Sequence, residues 1–470
     1  MTHPKRNSKG TGSAFEGGPA SLESLIETRI ARRTLIVGSL ASAATQFMSA
    51  PAMAVGSGNR QTALIDFEPV PVANGRGPMP SISPDYEYQV LLPWGTPLQP
   101  DGPVHTHPPT AANQAQQVGI GHDGMTYFPI TDGGSDGNGH GVLALNHEFG
   151  RNTHVLGKKS PESADDVRAS QHAHGVSVVE IKQIDGRWQP VRSALSRRIH
   201  PNTPVAFSGP AAGHPLLQNP AGNAPAGTLA NCANGETPWG TYLTCEENFQ
   251  LYFGSAAGWT PTPEQKRYGL KQDGSRYDWH LFDPRFDLAN ADFANESNRF
   301  GWVVEIDPMD PEHVPVKRTA LGRFRHEGAA VVEGRDGRAV VYMGDDARFD
   351  YLYKFVSDGD WRDMLRAGRH PLDHGTLFVA RFDADGSGRW IELSLDNPDL
   401  TRRFRSEAEL LTHARIAGDI VGATPMDRPE WTTVAPNGDI YCTLTNNSKR
   451  RTPDAANPMA PNADGHIIRW

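Results

Sequence analysis

Thr237–Asn248, with the sequence TPWGTYLTCEEN, is the stretch that most constrains the fold. A turn leads into a β-rich run, Thr241–Cys245, which ends in two adjacent carboxylates, Glu246 and Glu247. A strand directs neighbouring side chains to opposite faces, and adjacent like charges repel each other. The two carboxylates are therefore costly unless solvent or a cation compensates both charges.

Three further segments share this design of a turn glycine, a β-rich run and oxygen-bearing side chains. They begin at Gly141, Gly337 and Gly438, and they end in Asn146-His147-Glu148, Asp345-Asp346 and Thr445-Asn446-Asn447, respectively. Internal similarity in β units of about 40 to 50 residues is typical of propellers, in which every blade presents the same strand ends to one face. The repetition therefore predicts an all-β fold of the propeller type.

The repeated acidic strand ends also predict a metal site. In a propeller they would converge on one axis, and only cations make such a convergence of carboxylates stable. The alternative is that these residues serve turn chemistry, since hairpins in any β protein end in Asp, Asn and Gly. Four segments with matched offsets favour a shared metal site over that alternative.

Two segments carry helical signals. They are residues 360–370, within the stretch DGDWRDMLRAGRH that begins at Asp358, and residues 406–418, with the sequence SEAELLTHARIAG. Each segment opens on a capping residue and closes near glycine. We expect both to be helical insertions between blades.

Composition argues against two classes of protein, those that bind nucleic acids and those that span a membrane. The 470 residues carry a formal net charge of -9, which argues against a nucleic-acid-binding protein, since such a protein normally has a basic face. Beyond the N-terminal region, no segment offers the uninterrupted run of about twenty apolar residues that a membrane-spanning helix needs. The 48 glycines and 38 prolines fall between short β-like runs, which indicates many turns.

The N-terminus has the parts of a cleaved export signal. Arg32-Arg33 precedes a moderately apolar run that begins TLIVGSLASAA, and small residues surround Ala54. We predict a signal of the twin-arginine (Tat) type over residues 1–54, with the Sec route as the alternative, and a single mature domain over residues 55–470. The protein would then be periplasmic or secreted, a partner of the twin-arginine export machinery, and a monomer.

Several long motifs resemble the PhoX-type alkaline phosphatases. They are NHEF at 146–149, NCANGETPWGTYLTCEEN at 231–248, GRFRHEGAAVV at 322–332, GDDARFDYLYKFVSDG at 344–359 and MDRPEWTTVAPNGDIYCTLTNNSKR at 426–450. The likeness spans nearly all of the predicted mature chain. It implies a six-bladed β-propeller that is exported and hydrolyses phosphomonoesters with Fe³⁺ and Ca²⁺.

The resemblance also implies roles for individual residues. The iron ligands would be Cys232, Glu148, Glu247, Glu327 and Glu430, and the phosphate ligand would be Arg428. The calcium ligands would be Glu246, Asp345, Asp346, Asn446 and Asn447. The chemistry is consistent, because carboxylate and amide oxygens suit calcium whereas a thiolate suits a transition metal.

Other interpretations of these residues stay open. The chain has three cysteines, and without the resemblance Cys232 would be expected to pair with Cys245 in an oxidising compartment. Arg428 would serve equally as an ion-pair partner of Asp427 or Glu430. For the whole protein, the alternatives are another calcium-dependent propeller hydrolase, such as a lactonase or a phytase-like enzyme, and a non-catalytic secreted binding propeller.

Overall fold

The computed structural model describes residues 68–470, apart from residues 76, 78, 132–138 and 257. The predicted export signal, residues 1–54, lies outside the described residues. The chain falls into two compact units, residues 1–89 and 90–470. In the described part of the first unit, a 3₁₀ helix spans Val72–Gly75, and the hydroxyl of Ser83 donates to the carboxylate of Asp85 at 2.9 Å.

The second unit holds four sheets in the described part of the chain. The first sheet has the order β1-β2-β3-β4, with β5 also paired to β3. Its strands are β1 (His122–Pro129), β2 (His140–His147), β3 (Gly175–Ile184), β4 (Arg187–Pro190) and β5 (Arg197–Ile199). The second sheet has the order β6-β10-β9-β8-β7. Its strands are β6 (Ala206–Ser208), β7 (Asn231–Glu236), β8 (Tyr242–Glu246), β9 (Val303–Ile306) and β10 (Val316–Arg318).

The third and fourth sheets follow in sequence order. The third is a meander of β11 (Ala330–Glu333), β12 (Arg338–Gly344), β13 (Leu352–Asp360), β14 (Gly375–Phe382) and β15 (Gly388–Glu392). The fourth contains β16 (Pro429–Val434), β17 (Ile440–Leu444) and β18 (His466–Arg469). Among the described strands, all pairs are antiparallel except β6 with β10.

The sheets pack against one another in chain order, with a hydrophobic core between each consecutive pair. Val142 packs in one cluster with Tyr242, Leu243 with Val341, and Leu352 with Cys442. We call β1, β7, β11 and β16 the first strands of the four sheets and β2, β8, β12 and β17 the second strands. The first strands lie in a row, because β7 contacts β1 and β11, and β11 contacts β16. The strand ends that carry the oxygen-bearing side chains therefore lie beside one another.

Helices are short and few, which confirms the all-β prediction at the level of fold class. The predicted insertions form helices Trp361–Arg366, Glu407–Thr412 and Ala414–Val421, and the last two pack on the core between the second and third sheets. The remaining α-helices in the described part of the chain are Ala111–Gln114, Asn152–Val155, Ala164–His172, Pro263–Arg267 and Pro398–Thr401. The described strands form four open sheets and not six closed blades. Over the described ranges, no helix combines the length and apolar character needed to cross a membrane.

A long insertion between β8 and β9 was not predicted. It consists mainly of 3₁₀ turns, at Phe249–Tyr252, Trp279–Leu281, Pro284–Phe286, Ala291–Phe293 and Glu296–Arg299. Further 3₁₀ turns elsewhere in the chain span Pro215–Leu217, Thr319–Leu321 and Arg335–Gly337. The insertion has its own aromatic core, which includes Tyr252, Phe253, Tyr277 and Trp279. This core fixes the irregular backbone that follows Glu247.

Candidate metal centre

The four sheets carry the same register at one end of their first two strands. The paired residues are His122 with His147, Asn231 with Glu246, His326 with Asp345, and Pro429 with Leu444. The residues that directly follow these in sequence are Asp123 and Glu148, Cys232 and Glu247, Glu327 and Asp346, and Glu430 and Thr445. Each sheet thus offers two ligand-type side chains at equivalent positions.

The backbone near these positions is irregular in a repeated way. Register shifts follow His122, Asn231 and Pro429, so the first-strand side chains Asp123, Cys232 and Glu430 lie within bulges. A bulge turns a side chain away from the alternation of the strand and is common beside active sites. The second-strand amides then bond back to the first strand: the N–H groups of residues 148, 247, 346 and 445 donate to the carbonyls of residues 121, 230, 325 and 428.

The repeated geometry places six carboxylates and one thiol in a single cluster. Three groups have ligand atoms within 4.8 Å of one another: Asp123–Glu148–Cys232, Cys232–Glu247–Glu327 and Glu327–Asp346–Glu430. Cys232 and Glu327 each belong to two groups, so the three groups are continuous. The Sγ atom of Cys232 lies 3.3 Å from Oε1 of Glu327 and 3.7 Å from Oδ2 of Asp123.

The cluster is electrostatically unfavourable as a set of bare anions. Burial raises the pKa of Glu247 and of Glu327 well above the ordinary value, and the charges of neighbouring carboxylates raise each further. Burial also raises the pKa of Glu148 to about 7, with Asp123 acting in the same direction. The Cys232 thiol is shifted upward by burial and then by Glu327, so that its pKa lies far above the usual range. Full ionisation of the cluster therefore needs added positive charge.

Two arginines supply only part of that charge. Arg428 donates from Nε and Nη2 to the two oxygens of Asp346, at 2.8 and 2.6 Å, and Nη2 also lies 3.2 Å from Oε1 of Glu430. Arg325 occupies the position in the third sheet that Arg428 occupies in the fourth, two residues before the first-strand acid. Burial lowers the pKa of Arg325 to about 10, and its buried Nε has no hydrogen-bond partner among the described residues.

The donor set fits bound metal ions. Carboxylate oxygens are the ligands of hard cations, and a thiolate beside them adds the soft donor that selects a transition metal. Cations would also provide the charge that the raised pKa values of the cluster require. The thiol-containing groups fit a transition metal, and the Glu327–Asp346–Glu430 group, which has oxygen atoms only, fits a hard cation.

Four of the predicted calcium ligands lie outside these groups. Glu246 is fully buried, and its carboxylate accepts from Lys317 Nζ at 2.8 Å and from the N–H groups of Gly301 and Trp302 at 2.9 and 3.1 Å. Asp345 is fully buried and accepts both donors of the Arg415 fork. Their assignment as calcium ligands stays a prediction, and the partners seen here are structural ones.

The two predicted amide ligands also lie outside the three groups. Asn447 is buried, and its side-chain oxygen accepts from the N–H of Lys449 at 3.1 Å, whereas Asn446 is half-buried. In the fourth sheet, Thr445 occupies the position that Glu148, Glu247 and Asp346 occupy in the first three sheets. The hydroxyl of Thr445 donates to Glu430.

Sequence reasoning missed Asp123, Arg325 and Thr445. A signal for Asp123 existed, since His122-Asp123-Gly124 repeats the pattern of His326-Glu327-Gly328. A comparison of all four first strands, and not only of the strand ends, would have found Asp123. The structure does not contain the alternative Cys232–Cys245 disulfide, since Cys232, Cys245 and Cys442 are all free and buried.

Comparisons with known proteins agree with this geometry. The sequence profile of a family described as "Alkaline phosphatase PhoX" matches residues 66–470. Among solved structures, one described as "Pseudomonas fluorescens PhoX in complex with vanadate, a transition state analogue" is 48% identical, with a TM-score of 0.78; the match covers 83% of this chain and 70% of that one. No curated protein matched the chain.

Proposed function

The chain belongs to the PhoX family of alkaline phosphatases, and from this premise we propose that its acidic cluster binds iron and calcium ions for the hydrolysis of phosphomonoesters. Family membership makes the protein a phosphatase and decides against the lactonase and the non-catalytic binding propeller. The similar solved structure holds vanadate, a transition-state analogue, which supports phosphoryl chemistry at the equivalent site of this chain. The metal identities and the individual residue roles are our proposal.

One observation carries the proposal: six carboxylates and a thiol converge beside an arginine fork. Cys232 would hold iron together with Glu148, Glu247, Glu327 and Glu430, and Asp123 would join them. Asp346, with the oxygens of Glu327 and Glu430, would hold calcium. When bound, such cations neutralise the charge of a phosphate and polarise its ester.

Arg428 would position the phosphoryl group. Its Nε and Nη2 atoms already present a two-pronged donor set to Asp346, and a pair of phosphate oxygens accepts the same fork. The φ angle of Arg428 is 62°, in the left-handed region that few non-glycine residues adopt. A residue in this uncommon conformation is consistent with a functional position.

The order and packing of the four sheets are consistent with part of a propeller. Four sheets pack face to face in chain order, and their first strands lie in a row that carries the cluster. We propose that this row continues around a central axis, with residues 55–470 as the mature domain. The finer blade count rests on the family resemblance.

Export and assembly state are proposed on the sequence. We propose that residues 1–54 direct export by the twin-arginine route and that the mature protein is a periplasmic or secreted monomer. The Tat route transports folded proteins with cofactors in place, which suits a chain whose acidic cluster requires metal ions. A cell-fractionation experiment with Arg32→Lys/Arg33→Lys would test the route: the protein should remain in the cytoplasm, and normal export of the variant would contradict the proposal.

An assay with p-nitrophenyl phosphate tests the proposed chemistry. The purified protein should release p-nitrophenol at alkaline pH, lose this activity in a calcium chelator and regain it when calcium is restored. Elemental analysis of the same sample should find iron as well as calcium. Activity that is unaffected by chelation in a sample without iron would overturn the metal assignment.

A further inference from the structure

A small cavity adjoins the cluster on the side of Glu148. Its volume is about 80 Å³. Since about 10 to 15 Å³ of such volume is enough to hold one water molecule, the cavity has room for several waters or for one small anionic group. Phe149 and Asn248 also line it, and both directly follow cluster residues in sequence.

The wall opposite the cluster is rigid. Tyr252 stacks on Tyr277 with ring centroids 4.5 Å apart and ring planes 7° from parallel. The hydroxyl of Tyr252 donates to the backbone carbonyl of Glu148 at 3.0 Å, and Asn152 donates to the carbonyl of Tyr277 at 2.9 Å. These contacts tie the insertion between β8 and β9 to the first sheet, so the cavity is formed before any ligand binds.

Arg276 at the cavity and Arg151 near it have no acidic partner among the described residues. Arg276 lines the cavity, its backbone N–H donates to Leu251 at 2.8 Å, and its exposed side chain makes no ion pair or hydrogen bond with any described residue. The exposed side chain of Arg151 is likewise unpaired within the described part of the chain. By contrast, the guanidinium groups of Arg428 and Arg415 both form bonds with carboxylates.

Both unpaired arginines affect the pKa of Tyr277 in the cavity wall. Burial raises the pKa of Tyr277 to about 12, the charge of Glu148 acts in the same direction, and the positive charges of Arg276 and Arg151 oppose them. Arg276 lines the cavity and Arg151 follows Phe149, another lining residue, by two positions, so an anion bound there lies near both positive charges.

We propose that this cavity is a subsite for a second anionic group of the substrate, carried on the alcohol side of the phosphomonoester. Arg276 and Arg151 would bind that group, while the phosphoryl group occupies the adjacent cluster. The preferred substrates would then be phosphomonoesters whose alcohol bears a carboxylate or a second phosphate. This inference rests on the proposed function, and it adds a specificity site to it.

A matched pair of substrates tests the proposal. Glycerol 3-phosphate and 3-phosphoglycerate differ in that a carboxylate replaces a hydroxymethyl group. In the wild-type enzyme at fixed ionic strength, kcat/KM for 3-phosphoglycerate should exceed that for glycerol 3-phosphate. Arg276→Gln and Arg151→Gln should each lower the ratio of the two values by roughly three- to tenfold, as expected for a partly exposed charge-assisted contact.

Arg335→Gln is the matched control. Arg335 is exposed in the turn between β11 and β12, and the cluster lies at the opposite ends of these strands. The substitution removes the same charge without touching the cavity, so the ratio should not change. A wild-type ratio of one or less, a ratio that survives both arginine substitutions, or an equal fall in Arg335→Gln would overturn the subsite. Wild-type enzyme that hydrolyses neither substrate would instead contradict the proposed function, and the subsite with it.

Discussion

Cys232 is the residue that connects the two thiol-containing groups of the cluster. Its Sγ atom lies 3.3 Å from Glu327 and 3.7 Å from Asp123, in surroundings that raise the pKa of the free thiol. A bound transition metal reverses this preference, because a coordinating thiol is deprotonated. The position is therefore unsuited to a free thiolate and suited to a metal ligand.

Cys232→Ser should remove iron and activity together. Serine is nearly the same size, so the fold should persist, but its hydroxyl is a poorer ligand for iron. We expect loss of the visible charge-transfer band, loss of iron and a fall in kcat/KM of at least about tenfold, the lower end of the effects seen when metal-site support is removed. Elemental analysis and a visible spectrum check this. Cys442→Ser, in the core between the third and fourth sheets, is the control; an active, iron-containing Cys232→Ser enzyme would exclude the assignment.

Arg428→Lys should retain the charge and lose the fork. Lysine cannot reproduce the paired bonds from Nε and Nη2, and bonds to charged groups contribute about 1.5 to 3 kcal/mol. We expect kcat/KM to fall roughly ten- to hundredfold with unchanged metal content. Arg469→Lys, in an exposed ion pair of the same sheet, is the control and should have normal kinetics. Normal kinetics in Arg428→Lys as well would show that Arg428 serves only in a structural ion pair.

At the scale of single elements, Glu246 and Glu247 differ in the groups that their side chains contact. Glu246 is the last residue of β8, pairs with Asn231 and turns its side chain toward β10, whereas Glu247 is the next residue and belongs to the cluster. There Lys317 approaches it at 2.8 Å, with both side chains almost completely buried. The same division separates Asp345, paired with Arg415, from Asp346. One residue of each acidic doublet contacts a buried cation of the protein, and the other enters the cluster.

Glu246→Gln should destabilise the fold without loss of calcium. The change leaves Lys317 buried without its counter-charge, and breaking a buried pair in this way costs about 3 to 5 kcal/mol. Urea unfolding should show this loss, and the double variant Glu246→Gln/Lys317→Met should recover part of it. Glu333→Gln, in an exposed ion pair with Arg362, is the control. A selective loss of bound calcium in Glu246→Gln would instead support its role as a ligand.

At the scale of the whole molecule, the cluster is the point at which all four sheets meet. The first three sheets each contribute two side chains and the fourth contributes Glu430, and three cores hold the sheets in their order. Metal ions bound there would link the four sheets. Binding to the folded state alone stabilises it by mass action.

Metal removal should make stability fall with rising pH. In the folded protein without metal, burial and then Asp123 raise the pKa of Glu148 from 4.5 to about 7. The folded state then binds more protons than the unfolded state between these values, so this stabilisation is complete below pH 4.5 and is lost as the pH rises through 7. The shift corresponds to at most about 3 kcal/mol.

Thermal unfolding between pH 4.5 and 8.5 checks this expectation, with the metal-containing protein compared with protein from which both iron and calcium have been removed by chelation. The chelated protein should have its higher Tm at the acidic end, and saturating metal should remove or reverse that slope, since metal ions replace the protons. Enzyme activity should be absent at every pH in the chelator. A chelated protein whose Tm rises with pH and equals that of the untreated protein would contradict a shared metal centre.

The sequence by itself determined the local features. The β-rich runs, their turn glycines, the acidic doublets and the two capped helical insertions all depend on neighbouring residues, and the motifs around Glu148, Cys232, Glu247, Glu327 and Arg428 were sufficient to indicate the family. Strand alternation also predicted that Glu246 and Glu247 face opposite ways. Those statements need no long-range contact.

Only the tertiary structure decided which side of each strand faces the centre. Glu246 contacts Lys317, 71 residues away in sequence, and Asp345 contacts Arg415, 70 residues away. No local pattern predicts those partners. Asp123 enters the cluster through a bulge, and Arg276 reaches the cavity through an insertion fixed by its own aromatic core. Register, bulges and buried counter-charges are properties of packed sheets, so the ligand set follows from the fold and not from any single strand.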